Sequence, residues 1–497
     1  MKNCAKEGGK EKMRYVKAWL FSVAISIFCG DALAQSADQS DVQMRQAVQE
    51  LMTRIKTLEA DKARTDEKIR ALEQSQAAAP KDAAPAKVAG DVSKAERPNV
   101  GGEAIKDPVP GFFKVPGTET SLKIGGFAAL DIVQDYSGGG MGGAVAQPMS
   151  IVFGDNPQSK RNDQLSMTAR RSRFNLQTLT PSSIGDVGTF LEVDFMGQGG
   201  NELVTNSSTV RMRHAYVTIG SSTVGSSWLA GQTWTNFVDL GTYPETVDFQ
   251  GGHGMLQGIR QPQLRYTNKW DSNEFSVAIE NPETDLYGMT VVGFNASVGP
   301  VPTTSVDALP DLTLRYAYAP SWGRIAMSAL GRRLSIDNRG QAAINGFVGT
   351  DHVFAGGAGI AGKIYTFGKD SIQFNLNGGR GMGRYVLGTP IPTSAAIVDN
   401  QLESVKIWGA SLGYQRRWTS TVRSNLTFGT IEEDLPRSAV PETVANRVDA
   451  LFLNTIWEPV KRLAFGVEYV RGEVRNDAQT DNKGSADRLG FTVQAAF

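Results

Sequence analysis

The last eleven residues of the chain, DRLGFTVQAAF (487–497), alternate strictly between two kinds of side chain. The apolar or small side chains at the odd positions are Leu489, Phe491, Val493, Ala495 and Phe497. A repeat of two residues is the period of a β-strand, with one face apolar and one polar or small. A terminal strand in a soluble sheet is an edge, usually protected by charge or proline, which the last residues lack. A closed barrel removes that edge, so we expect Phe497 to be the barrel-closing terminal residue, although a soluble β-protein can also contain such a strand.

The same alternation recurs from residue 111 to the end, for example in SLKIGGFAALDI (121–132), GTFLEVDF (188–195) and QLRYTNKW (263–270). Charged side chains stand opposite aliphatic ones in strand after strand, which suits a water-filled lumen better than a sandwich core. At about 24 residues for each strand with its turns and loops, residues 111–497 give about 16 strands. The predicted fold class is an all-β transmembrane barrel of about 16 antiparallel strands, preceded by a short α-helical coiled coil.

Composition and the N-terminal residues narrow the class of protein further. The chain is 40% apolar with 51 basic and 51 acidic residues, too polar for a helical membrane protein and without the basic excess of a nucleic-acid-binding protein. Residues 1–34 have the pattern of a secretory signal peptide: Arg14 and Lys17 precede an apolar run (18–29) and the small-residue site Ala32-Leu33-Ala34. Both cysteines precede that site, so we expect no disulfide or cysteine-bound metal in the mature protein.

Between the signal and the barrel, the hydrophobic period changes from two to a heptad. The positions spaced three and four residues apart are Val48, Leu51, Ile55, Leu58, Lys62, Thr65, Ile69 and Leu72. We therefore predict a periplasmic coiled-coil helix over residues 35–74, with a mild preference for two strands, and an Ala/Pro-rich linker over 75–110. Residues 111–497 form the predicted transmembrane β-barrel, and an exported chain of this kind is expected in a Gram-negative outer membrane.

Strand phase predicts which charged side chains face the lumen. The basic ones are Lys123, Arg171, Arg173, Arg265, Lys269, Arg315, Arg324, Arg423, Arg462 and Arg488. The segment RMRHAY adds Arg211 and Arg213, although the phase breaks at His214. The inward acids are fewer: Asp131, Glu192, Asp194, Glu280 and Glu468. Arginines and lysines lining a pore favour anions, but pairs with these acids that merely stiffen the wall are an open alternative.

Residues 231–262 are long, alternate poorly and lie between two strand-like runs. They carry Trp234, Asp239, Glu245 and Asp248, which fit a constriction loop whose acids face arginines on the barrel wall. An ordinary external loop fits the position equally well. The histidines (His214, His253 and His352) lack metal-ligand spacing and a neighbouring hydrolase motif, so we predict no enzyme, no metal and no cofactor.

Five phrases of the sequence resemble the DcaP-like porin family. They are GFFKVPGTETSLKIGGFAALD (111–131), RMRHAYVTIG (211–220), AGQTWTNFVD (230–239), PETVDFQG (244–251) and RQPQLRYT (260–267). The resemblance implies a homotrimeric, 16-stranded outer-membrane porin that passes small anions, with dicarboxylates as the characteristic class. It also implies that residues 234–251 are the constriction loop, and that the first residues to test for anion attraction are Arg211, Arg213, Arg260 and Arg265.

Two other functions compete with this interpretation. A sugar-type porin needs a slide of aromatic residues along the lumen, whereas most strand aromatics here phase outward. A tethering protein would contact peptidoglycan through residues 35–110 and use the barrel only as an anchor in outer-membrane lipid. About eight strands are enough for an anchor, because they already fill their own interior, so a barrel of about 16 strands is wider than this function requires. Nucleic acid is not an expected partner.

Overall fold

A computed structural model of the chain describes residues 111–497 except 142–145, 155, 202–204, 222–223, 249–258, 288–305, 341–342 and 387–393. The predicted signal peptide (1–34), coiled coil (35–74) and linker (75–110) lie outside the described residues. No helix in these described ranges is long and apolar enough to cross a membrane.

The described residues form twenty strands in chain order. They are β1 (Phe113–Lys114), β2 (Ser121–Asp135), β3 (Gln164–Thr168), β4 (Arg173–Thr180), β5 (Val187–Asn201), β6 (Ser207–Gly220), β7 (Gly225–Trp234), β8 (Arg260–Trp270), β9 (Asn273–Glu280), β10 (Asp311–Tyr318), β11 (Gly323–Asp337), β12 (Thr350–Tyr365), β13 (Ser371–Arg380), β14 (Ala395–Val398), β15 (Gln401–Ser404), β16 (Lys406–Arg417), β17 (Val422–Asp434), β18 (Arg447–Val460), β19 (Leu463–Arg475) and β20 (Lys483–Ala496). Short 3₁₀ helices lie in the connections, at Pro148–Ser150, Pro157–Lys160, Leu240–Thr242 and Gly383–Tyr385.

Sixteen of these units close into a ring. β3 and β4 both pair with β2 and count as one interrupted barrel strand, β14 and β15 form a separate hairpin, and β1 is a two-residue addition to β2. Each barrel strand pairs antiparallel with its neighbours, and β20 pairs with β2 from Phe127↔Ala496 to Asp135↔Arg488. The prediction of an antiparallel barrel of about 16 strands is confirmed within the part of the chain described.

Burial alternates along the strands as the sequence period requires. In β10, Asp311, Thr313 and Arg315 point inward and are buried, whereas Leu312 and Tyr316 are exposed on the outside. Because neighbouring strands share this phase, the outer surface is an apolar band suited to lipid and the inner surface is largely polar.

The two ends of the barrel differ in the length of their connections. Short turns such as Asp271–Ser272 join the strands at one end, and long connections such as 136–163 and 381–405 join them at the other. Since short turns face the periplasm in outer-membrane barrels, the long connections are extracellular.

The prediction that Arg462 faces the lumen is wrong, because Lys461 and Arg462 form the turn between β18 and β19, where Arg462 has a φ of 76°.

Gly126 lies at the closure of the ring and has a φ of +153°. Its carbonyl oxygen accepts a hydrogen bond from the backbone N–H of Phe497 (3.1 Å). A Cβ atom at this position would collide with the carbonyl oxygen of Arg173 and lie 2.8 Å from the Phe497 ring. The close approach of three segments at the seam therefore requires glycine.

We expect Gly126→Val to destabilise the folded barrel by about 1–3 kcal/mol, because it combines a strained φ with a backbone collision. The measurement is the temperature at which the compact folded band disappears in unheated-versus-heated gel electrophoresis. Gly331→Val is the matched control, since a Cβ at Gly331 meets no heavy atom within 4 Å. Equal transition temperatures for the two variants would contradict the expectation.

Candidate functional site

Residues 235–248, in the connection between β7 and β8, enter the barrel and follow its inner wall. Residues 231–234 and 260–262 belong to these strands, so the loop is shorter than the sequence suggested. At its start, the backbone N–H of Asn236 donates to Glu280 (2.7 Å), and the Asn236 side chain donates to the carbonyl oxygens of Ser276 and Thr313. Residues 235–248 are therefore not an ordinary external loop.

Asp239 attaches this loop to β10 and β11. Its carboxylate accepts hydrogen bonds from Arg315 (2.5 Å) and Arg324 (2.6 and 2.8 Å), and it also caps the helix Leu240–Thr242 by accepting from the N–H of Gly241 (3.0 Å). Burial alone would raise the pKa of Asp239, but the bonds and charges of the two arginines outweigh burial and hold that pKa below its usual range. The loop acid thus stays ionised and directed at the wall.

Two further attachments follow along the loop. Glu245 accepts two hydrogen bonds from Arg423 (both 2.6 Å). Pro244 packs against Gly413 so closely that a Cβ atom at Gly413 would lie only 2.8 Å from the Cβ of Pro244. The backbone N–H groups of Val247 and Asp248 donate to the carboxylate of Glu468 on β19 (2.9 and 2.7 Å). The loop is therefore fastened in succession to β10–β11, β16–β17 and β19.

The connection between β2 and β3 also folds inward, which sequence reasoning missed. Its residues Met141, Ala146 and Ile151 are buried against inward side chains of β18, β19 and β20, namely Val448, Ala450, Phe452, Val470, Val474 and Ala486. The backbone N–H of Ala146 donates to Asp248 (2.7 Å), so the two inward loops contact each other. The available signal was the apolar inward phase of those three strands, which is unusual for a water-filled lumen.

A basic cluster lies on β4, β5 and β6. Arg213 pairs with Glu192 (2.7 Å) and Asp194 (3.0 Å), Arg211 pairs with Asp194 (2.7 Å), and Arg173 approaches Glu192 (3.8 Å). Three cations thus share two carboxylates. A register shift in β6, where Glu192↔His214 is followed by Val193↔Met212, is a bulge that turns Arg213 and His214 to the same side. This bulge explains the break of phase in the sequence.

Arg260 and Arg265 extend the cluster onto β8. The Arg260 guanidinium lies over the Trp234 ring, 4.6 Å from its centroid; Arg213 and Arg211 repel it electrostatically and Asp194 attracts it. Arg265 donates to the side-chain oxygen of Gln263 (2.8 and 2.6 Å) and to the carbonyl oxygen of Trp234 (2.6 Å). Both arginines are half-buried, and neither forms an ion pair with any residue that the structure describes.

Of the remaining basic residues predicted to face the lumen, Lys123 lies over the Phe112 ring, 5.7 Å from its centroid, and the others on the strands have acidic partners. Arg171 pairs with Asp131 (2.6 Å) and Lys269 with Glu274 (3.7 Å). Arg315 and Arg423 carry the ion pairs with the loop acids described above. The structure therefore divides the predicted pore-lining set into charges compensated on the wall and a basic surface on β4–β8, supported by Trp234.

The histidines contribute no such cluster within the described ranges. His214 is buried, with Nδ1 3.0 Å from the Thr233 hydroxyl oxygen and its ring 6.1 Å from Trp234. His352 is exposed on β12 beside Phe354, and His253 lies outside the described residues.

A closed sixteen-strand antiparallel barrel with an apolar outer face, a polar lumen and an inward loop defines an outer-membrane channel of the porin class. The model of the DcaP outer membrane protein family matches residues 114–492, and the chain belongs to that family, as the resemblance predicted.

Solved structures show the same fold. The outer membrane channel DcaP of Acinetobacter baumannii is 23% identical, covers 78% of this chain and 99% of its own, and superposes with a TM-score of 0.63. An anion-selective porin from Comamonas acidovorans is 12% identical, with 76% of this chain and 100% of that one covered and a TM-score of 0.50. Comparison with curated proteins gave no match.

Proposed function

We propose that this outer-membrane channel passes small anionic solutes by passive diffusion, with dicarboxylates as the characteristic class. The observation that carries the proposal is the pair Arg260 and Arg265, which Trp234 and Gln263 hold on the inner wall without an ion pair among the described residues. The neighbouring cluster, in which three arginines share Glu192 and Asp194, adds positive charge to the same wall.

In this proposal, the two sides of the pore have different tasks. The loop 235–248 narrows the lumen while its acids, Asp239 and Glu245, stay bound to wall arginines and oppose a passing anion little. The planar guanidiniums on β4–β8 offer several hydrogen-bond donors in a row, so a carboxylate exchanges one partner for the next without tight binding at any one of them. A narrow pore with low-dielectric walls strengthens this attraction.

The test is the reversal potential of the purified protein in a planar bilayer under a KCl gradient. We expect chloride preference, and a small dicarboxylate added to one chamber should interrupt the chloride current. Cation preference or no selectivity would favour the sugar-type porin. Absence of conductance would favour the tethering function.

The sugar-type porin has little support from the aromatic residues on the inner wall. Phe190, Tyr216 and Trp234 lie together in one group beside His214 within the described residues, and Trp234 is covered by Arg260. A slide would distribute such rings along the pore. We further propose that the channel performs no catalysis, since His214 and His352 belong to no group of side chains among the described residues that could hold a metal ion.

The proposed assembly is a homotrimer, as the family resemblance implies. Large apolar side chains on the outer faces of β3 and β6 support this, because Leu165, Met167 and Val210 are each about three-fifths exposed (60, 59 and 61%), more than most lipid-facing residues of the barrel. A second copy of the chain would cover them. A periplasmic coiled coil at residues 35–74 and contact of residues 35–110 with peptidoglycan stay predictions.

A further inference from the structure

The outer face of β16–β20 carries charged side chains at the extracellular end. We call this surface the charged belt; its residues are Lys406, Glu432, Asp434, Arg447, Asp449, Arg471, Glu473, Arg475, Lys483 and Asp487. They point outward because they alternate with buried inward residues: Arg447 and Asp449 flank Val448, and Glu473 and Arg475 flank Val474.

The other side of the barrel is different at the extracellular ends of its strands. Leu165 is the second residue of β3, Ile279 the penultimate residue of β9 and Leu312 the second residue of β10, and all three are exposed outward. Apolar side chains there extend almost to the extracellular ends of the strands. The charged belt is therefore a feature of one side of the barrel, where Arg380 on β13, opposite Lys406, is also exposed outward.

Within the belt, acidic residues fix the basic side chains but leave them half exposed. One nitrogen of Arg471 donates to both carboxylate oxygens of Asp487 (2.9 and 3.0 Å), and two nitrogens of Arg475 donate to one oxygen of Glu473 (2.8 and 2.6 Å). Lys483 Nζ lies 2.7 Å from the other Glu473 oxygen. The exposed fractions of the three basic side chains are 46, 49 and 53%, so each keeps N–H groups available to an acceptor outside the barrel.

An exposed apolar band lies directly below the belt on the same strands: Trp408, Phe428, Leu453, Leu489 and Phe491. Charges facing hydrocarbon are costly, so the belt must stand at the level of the lipid headgroups. Phosphate is the headgroup acceptor that arginine binds best, because the planar fork of N–H groups matches its oxygens. On the extracellular side of a Gram-negative outer membrane, those phosphates belong to a glycolipid.

We propose that the charged belt binds the phosphate groups of the outer-leaflet glycolipid through Arg471, Arg475 and Lys483. In this arrangement, Asp487 and Glu473 orient the cations and weaken the attraction enough for lipid to exchange. The binding surface lies outside the pore and is independent of the ion selectivity proposed above.

The test measures binding of purified lipopolysaccharide to the detergent-solubilised full chain by thermophoresis, with phosphatidylglycerol as the second probe. We expect the variant Arg471→Gln/Arg475→Gln/Lys483→Gln to lose affinity for lipopolysaccharide by at least about tenfold, with conductance unchanged. The control removes three exposed basic residues at the periplasmic end, Lys369→Gln/Arg416→Gln/Lys461→Gln, and should bind lipopolysaccharide like the parent.

A second variant keeps the test decisive if the first folds poorly. Glu473→Gln/Asp487→Asn removes the competing carboxylates and is expected to raise lipopolysaccharide affinity. Belt variants that all bind within twofold of the parent would overturn the proposal, and so would equal losses in the belt and control variants or equal losses for both lipids. Dissociation of the oligomer by the belt variant, with lipid binding intact, would reassign the belt to a contact between copies of the chain.

Discussion

Replacing both Arg260 and Arg265 with glutamine is expected to remove most of the anion preference of the channel. The described residues form no ion pair with either side chain, and Asp194, Glu274 and Glu280 act on them only from beyond ion-pair distance, so both charges contribute to the field in the lumen. A unit charge 4 Å from an ion is worth about 1 kcal/mol even at the dielectric constant of bulk water, or about fivefold in relative permeability. We therefore expect the anion-to-cation permeability ratio to fall by at least about tenfold in the double variant.

The measurement is the reversal potential of the double variant under the same KCl gradient as the parent. The matched control is Arg471→Gln/Arg475→Gln, which removes two arginines from the outer face of β19 and should leave the reversal potential unchanged. Glutamine retains hydrogen-bonding capacity, so the wall around Trp234 is expected to stay folded. A parent-like reversal potential in the double variant would place these arginines away from the ion path and contradict the proposed function.

The face on which each strand residue lies could be predicted because a local repeat determines it. On β20, Leu489 and Phe491 face outward while Arg488 and Thr492 are buried inside, as the alternation of the last eleven residues indicated. Once the ring is closed, neighbouring strands keep the same phase, so each local pattern agrees with the global one. The bulge in β6 interrupts the pattern, and in the sequence it is visible only as a break of the alternation at His214.

The partners of the inward charges could not be predicted. Asp239 and Arg315 are separated by 76 residues along the chain, and Glu245 and Arg423 by 178. Strand phase places an arginine on the inner wall but contains no information on which loop residue approaches it. For this reason, phase alone could not separate Arg315, which an acid of the loop compensates, from Arg265, which is bound by Gln263 and a carbonyl oxygen.

The buried packing between loops was the least accessible part of the structure. Met141 and Ile151 come from a glycine-rich connection without strand period, yet they cover inward side chains such as Phe452. Such contacts depend on the tertiary path of a loop, and no repeat in the loop reveals it. The sequence therefore predicted the strands of the barrel wall better than the loops that pack inside it.

Asp239→Asn is expected to act in the opposite direction, raising both the conductance and the anion preference. Asp239 is 5% exposed and is bound by Arg315 and Arg324, so its neutralisation leaves two guanidiniums with less compensating charge. Removing one partner of a buried ion pair costs about 3–5 kcal/mol, which is enough to detach this point of the loop from the wall. Asparagine can still cap the helix Leu240–Thr242, so the loss concerns charge rather than the helix cap.

Single-channel currents and the reversal potential of Asp239→Asn test both effects together. Asp337→Asn is the matched control: it removes the same charge from an ion pair with Arg339 on an extracellular loop, and should change neither quantity. Damage to folding in general would lower conductance and selectivity together. The expected combination is a higher anion preference for Asp239→Asn and a lower one for the Arg260 and Arg265 variant. Such opposite changes require that the fixed charges at both places act on the permeating ion. A decrease in both variants would instead mean that Asp239 acts by holding Arg315 and Arg324 in place, so that its loss moves these guanidiniums away from the ion path.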